Sequence, residues 1–136
     1  MALSTSLTSK AYMVEKTVNL GTASGTVVGP AVAAGTLVLA SGVEVITAVE
    51  DVTTFTVAVS DATTTFMAAT SIDAAAAGTM VFGTQVLGIS ADDDTIDAVT
   101  VISGTTAGVT ARVWAIVVDV NEATRDAAEV DRDQLA

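Results

Sequence analysis

Val109-Thr110-Ala111-Arg112-Val113-Trp114-Ala115-Ile116-Val117-Val118 is the stretch whose reading decides the fold. Val109, Ala111, Val113, Ala115 and Val117 fall on one side and Thr110, Arg112, Trp114, Ile116 and Val118 on the other, the two-residue period of a β-strand. Toward its C-terminal end both sides are apolar. That pattern predicts a central strand covered on one face by a second sheet and on the other by something further, such as another subunit. Arg112, Trp114 and Ile116 are therefore candidate interface residues, because aromatic residues and Arg are enriched in the buried centres of interfaces. A cation–π or ligand-stacking role for Trp114 beside Arg112 is the competing reading, and a lone Trp in a Val-rich strand more often packs in a core or an interface.

Working outward, residues 103–108 are rich in turn formers and follow a second strand-like run at 95–102, so the two runs are expected to pair as an antiparallel hairpin. Another hairpin is expected between residues 43–49 and 53–60, joined through Glu50-Asp51, with Phe55, Val57 and Val59 on one face. Residues 36–40 read as a strand ended by Ser41-Gly42, residues 11–19 as the first strand, and Gly29-Pro30 as a turn. Residues 66–70 suit a short strand. Residues 79–87 suit one bent at Gly83, where a glycine marks a bulge or a close backbone approach. Ser71-Ile72-Asp73 ahead of four alanines is compatible with one helical turn, capped by Ser71 or Asp73 and closed by Gly78. Short strands at regular spacing, with no long helix between them, define an all-β, antiparallel β-sandwich of Greek-key or jelly-roll connectivity. The absence of a fixed-period repeat argues against a solenoid or a propeller.

A chain of 136 residues suits a single domain, taken here as residues 10–121. Half of its residues are hydrophobic but only 4% are aromatic, so the core has to be made of Val, Ala, Ile, Leu and the methyl groups of Thr, which favours strands. The longest apolar run, at 113–118, is far short of the ~20 residues of a membrane helix. No membrane partner is expected. Residues 1–9 are Ser/Thr-rich, lack the basic and apolar regions of a secretion signal, and read as an exposed arm. Residues 122–136 crowd Glu122, Asp126, Glu129, Asp131 and Asp133 into an acidic tail, or into an arm that orders on a neighbouring molecule.

A formal net charge of −11 repels nucleic acid and anionic lipid and suits a basic protein surface. With no Cys and no His, thiol nucleophiles, disulfides, Cys/His zinc sites and imidazole bases are excluded. Four features remain that carry chemistry. Asp92, Asp94 and Asp97, with Asp93 among them, offer hard oxygens to Ca²⁺, but they lack the EF-hand spacing and precede a strand, where Asp commonly forms a turn. Two of Glu15, Glu44, Glu50, Asp51 and Asp61 would serve a glycosidase as paired acids, yet one Trp and one Tyr make a poor sugar cleft. Thr54/Thr56 and Thr63/Thr65 place hydroxyls in rows, which is also ordinary β-sheet composition. Trp114 with Arg112 is the fourth. No cofactor and no enzymatic activity are expected.

Four stretches, namely the Ser/Thr-rich arm, Thr26-Val27-Val28-Gly29-Pro30 with residues 31–35, Ala91-Asp92-Asp93-Asp94-Thr95-Ile96, and the 103–108 turn leading into Arg112-Val113-Trp114, carry a resemblance. In texture over most of its length the chain resembles the decoration or cement proteins of tailed bacteriophages. The resemblance implies a homotrimeric jelly-roll or β-tulip on the capsid exterior of the virion, clamping neighbouring subunits of the major capsid protein, and it transfers no individual residue. A carbohydrate- or receptor-binding sandwich of a head or tail fibre is the alternative expectation.

Overall fold

A computed structural model describes residues 10–50, 54–90, 92–104, 106 and 108–119. The expected arm at 1–9 and acidic tail at 122–136 lie outside the described residues. Eleven strands are present among the described residues: β1 (Tyr12–Asn19), β2 (Gly25–Val27), β3 (Ala31–Val32), β4 (Thr36–Val45), β5 (Thr54–Ser60), β6 (Thr65–Ser71), β7 (Met80–Val81), β8 (Gly88–Ser90), β9 (Asp94–Thr95), β10 (Asp97–Ser103) and β11 (Thr110–Asp119). The protein is all-β, as its composition requires, and antiparallel sheets pack together as a sandwich.

One sheet runs β1-β11-β4-β7, with β8 also on β4; the other runs β2-β10-β5-β6; β3 and β9 form a small third pair. Strict alternation supplies the facing surfaces. Ala111, Val113, Ala115 and Val117 of β11 and Val43 and Val45 of β4 are fully buried, and they share one apolar cluster with Phe55, Val57 and Val59 of β5 and Ala98 of β10. β-Branched side chains on both inner faces interlock at the pleat spacing, which suits a core with so few aromatic rings. Consecutive Phe66 and Met67 are both fully buried because the β5–β6 register shifts beside Val59.

Both expected hairpins are corrected. β11 pairs with β1 and β4, whereas β10 pairs with β2 and β5, so residues 97–103 and 110–119 belong to opposite sheets, and Thr95 pairs with Ala31 in the small third sheet. Likewise β4 and β5 lie in different sheets, and β5 forms its hairpin with β6. The reason is burial: β5 and β11 have apolar inner faces, those of β4 and β10 are mostly apolar, and strands that stack across the sandwich bury those faces against each other. Ser41-Gly42 is no break either, since β4 passes straight through it. The helical turn over 71–78 is absent. Ile72 is buried, its N–H donates to the Phe55 carbonyl at 2.7 Å, the Asp73 carboxylate accepts from the Phe55 N–H, and Ala74 adopts a positive φ of 54° that ends any helix.

The strand at 79–87 is interrupted at Gly83. A Cβ there would meet Thr70 Oγ1 at 2.2 Å and the Ala68 carbonyl at 2.6 Å, so this is a close backbone approach of the kind the glycine signalled. The interruption lets residues 80–90 change sheets twice. β7 pairs with β4; the Ala68 N–H of β6 then donates to the Thr84 carbonyl and the Val86 N–H to the carbonyl of Phe66, also on β6; and β8 returns to β4. One flank of the sandwich is thereby closed by its own chain. Among the described residues no helix is long and apolar enough to cross a membrane.

Phe55→Ala is expected to lower unfolding stability by about 3–5 kcal/mol, because it empties the space between the sheets where no polar neighbour can follow. Urea titration followed by circular dichroism checks this, and a loss below about 1 kcal/mol would contradict the sandwich core.

Candidate interaction face around Trp114

The outer face of the five-stranded sheet follows from its register. Trp114 sits between Glu15 of β1 and Gly42 of β4, Arg112 between Thr17 and Glu44, and Ile116 between Met13 and Ala40. Residues opposite one another in antiparallel strands present side chains on the same face. Met80 joins this face through its pairing with Glu44, and Phe82 through its ring contact with Trp114. The structure thus brings the three predicted interface residues Arg112, Trp114 and Ile116 together on one surface.

Trp114 is the most buried member, at 8% exposure. Its indole lies over Gly42, where a Cβ would come within 2.6 Å of Cζ2, so only glycine permits the contact. Its N–H donates to the Met80 sulfur at 3.1 Å, and the Phe82 ring meets it edge-on with centroids 5.7 Å apart. Around this anchor the sheet face is apolar and open. Phe82 is 63% exposed and Met13 56%, with Met80 and Ile116 also exposed. A shallow groove of about 270 Å³ runs among Met13, Met80, Trp114 and Ile116 and is rimmed by Glu15, Glu44 and Arg112.

That rim is an ion-pair triad. Arg112 Nη1 donates to Glu44 Oε2 at 3.2 Å, and Arg112 Nε lies 3.9 Å from Glu15 Oε2. Half-exposed pairs of this kind are worth about 1 kcal/mol or less each. Their main effect is to neutralise charge beside the apolar patch. Two of the five candidate catalytic acids, Glu15 and Glu44, therefore meet, but with a guanidinium held between them. Asp61 instead caps its own turn by accepting from the Thr63 and Thr64 N–H groups, Glu50 is exposed, and Asp51 lies outside the described residues.

The aspartates near residue 92 are spent on backbone. Asp93 accepts from the Ala34 N–H, Asp94 from those of Ala62 and Thr95, and Asp97 from that of Gly29, each at 2.8–3.1 Å. Asp92, Asp94 and Asp97 do not converge, and among the described residues no group of three or more acidic side chains could hold a metal ion. Thr54 and Thr56 share a face of β5, while Thr63 lies in the following turn, so the hydroxyl rows do not merge into one flat array.

Sequence reasoning found the strand but not the patch. Met13, Met80 and Phe82 come from segments remote from β11, and only the pairings bring them beside Trp114. Gly42, read from the sequence as part of a strand end, is instead a close-approach glycine, a role that a glycine inside a strand also signals.

Fold and site together define a β-sandwich whose distinctive surface is an apolar, ion-pair-rimmed sheet face. No protein-family model, no curated protein and no solved structure matches the chain.

Gly42→Val is expected to drive the indole out of its seat, shifting tryptophan emission to longer wavelength and costing about 1–3 kcal/mol of stability. Unchanged emission would contradict the packing of Trp114 on Gly42. The Thr95 N–H and then the Ala62 N–H hold the Asp94 carboxyl below the ordinary carboxylate value. The stability this supplies is present above the unfolded-state value and is lost as pH falls through the folded one. Asp94→Asn should therefore lower stability at neutral pH, where the ionised carboxyl contributes in full, and flatten the acid limb below about pH 4, so that the two proteins converge at low pH. Thermal melts across that range are the check, and an unaltered acid slope counts against the assignment.

Proposed function

We propose that this protein is a non-catalytic assembly component that associates with copies of itself through the Trp114 face. The observation that carries the reading is that face: a tryptophan anchor already seated on its own sheet, surrounded by exposed Met13, Met80, Phe82 and Ile116. A large aromatic ringed by apolar and Arg side chains is the composition of an interface centre. Charge selects a second copy as the occupant. Chains of formal charge −11 repel one another unless the surfaces that meet are nearly neutral, and here Arg112 lies between Glu15 and Glu44 beside an uncharged patch.

The particular assembly proposed is a capsid-decoration protein of a tailed bacteriophage: a homotrimer, jelly-roll or β-tulip in architecture, lying on the capsid exterior and bridging major capsid subunits. Its support is the resemblance in sequence texture together with the all-β sandwich and the acidic charge. A symmetric protein repeated over a shell strengthens every junction it spans. The fibre-domain alternative would use Trp114 as a sugar platform. An indole packed against Gly42 and Phe82 is better placed to hold a sheet face rigid than to stack a ligand.

Sedimentation velocity at micromolar concentration is expected to show an oligomer that Phe82→Ser combined with Met13→Asp converts to a folded monomer. A wild-type monomer at that concentration would refute self-association. For the capsid assignment, cross-linking in intact particles should join the protein to the major capsid subunit; adducts confined to tail proteins would refute it.

A further inference from the structure

The apolar face extends well past Trp114. Residues opposite one another across antiparallel strands share a face, so the register resolves this one into rows. One row holds Ile89, Leu37 and Val118, and the next holds Ala40, Ile116 and Met13. Gly42, Trp114 and Glu15 follow, and then Met80, Glu44, Arg112 and Thr17. The first two rows carry no charge. The last two hold two carboxylates around one guanidinium, a net of −1. Ile89, at the far end from the triad, is 51% exposed, and Leu39, also exposed, stands at the register shift between the first two rows.

The rest of the described charge lies off this face. Asp61, Asp73 and the aspartates at 92–94 are in turns or in the small β3–β9 pair, Glu50 is in the connection from β4 to β5, and Asp97 belongs to the other sheet. Asp119 ends β11 and alternates to the side of Val117, as Lys16 of β1 does to the side of Val14 and Val18. Four strands at ~4.8 Å spacing and the ten residues of β11 at ~3.4 Å each give the face roughly 650 Å². That approaches the ~800 Å² each partner contributes to a stable interface. A basic partner would find only two carboxylates here, both already beside Arg112. A second copy brings the same uncharged rows.

Resting on the self-association proposed above, we infer that a second copy covers this face along its whole length, from Phe82 to Ile89, in a contact that ionic strength controls. Burial of the uncharged rows holds the copies together, while a formal −11 on each, nearly all of it off the face, opposes their approach. Salt acts on the second effect. The screening length falls from ~30 Å at 0.01 M to ~8 Å at 0.15 M, so repulsion between the acidic bodies fades as salt rises. Association is therefore strengthened by salt, the reverse of an interface built on ion pairs between copies.

Sedimentation equilibrium of the full-length chain at about 20 mM and about 500 mM NaCl tests this. Association should tighten about tenfold or more at the higher salt. Glu50→Lys, off the face, moves the formal charge from −11 to about −9 and should tighten association at low salt while shrinking the salt response. Ile89→Lys places a charge on the row farthest from the triad yet lowers the net charge, so added repulsion cannot account for a loss; it should weaken association about tenfold or more with circular dichroism unchanged. Ile89→Thr, β-branched and suited to the same strand, should weaken it in the same direction. The inference is overturned if salt weakens association or leaves it unaltered. It is also overturned if both Ile89 variants associate as the wild type does while Phe82→Ser with Met13→Asp still separates the copies, a result that confines the contact to the Trp114 patch and leaves self-association standing. A monomer at both salt concentrations would sink self-association itself, and the inference with it.

Discussion

Everything in this molecule depends on keeping the inner face of β11 dry. Ala111, Val113, Ala115 and Val117 are too small to fill space individually, so the opposite sheet has to approach closely and present a continuous apolar surface. Phe55, Val57 and Val59 supply it, and their strand can do so only from the other sheet. Dispersion between close-packed methyl groups falls off steeply with separation, so a core of small residues tolerates little misfit. The requirement explains why strands that are neighbours in sequence, β4 with β5 and β10 with β11, are divided between sheets.

The outer face of the same strand is governed by a different contact. Trp114 packs over Gly42 and is held by Met80 and Phe82, so the largest side chain of the sheet is partly satisfied within its own chain. The surrounding apolar residues are not. A rigid anchor that loses little conformational freedom on association, set in an open patch, favours binding at that place over any other on an acidic surface. The Glu15–Arg112–Glu44 triad adds orientation more than energy, because its members remain hydrated.

Closure of one flank and openness of the other follow from the course of residues 80–90. Gly83 allows the chain to come within bonding distance of β6, and the segment satisfies backbone groups of both sheets in turn. No comparable segment serves β1 among the described residues, where it pairs with β11 alone. Among the described residues the asymmetry gives the domain one flank covered by its own chain and one that is not.

The alternation of Val109 to Val118 and of Phe55 to Val59 was enough to establish an all-β sandwich, to say which residues of each strand share a face, and to single out Arg112, Trp114 and Ile116. Those are local properties: side-chain direction in a strand has period two whatever the strand pairs with. The absence of Cys and His likewise removes whole classes of chemistry by composition alone. Pairing was not local. Turn formers at 103–108 suit a hairpin and a crossing between sheets equally well, and only the need to bury two apolar faces against each other chose the crossing. The apolar patch, the ion-pair triad, the spent aspartates and the open edge are all products of that choice, because each joins residues whose separation along the chain carries no record of their distance in space.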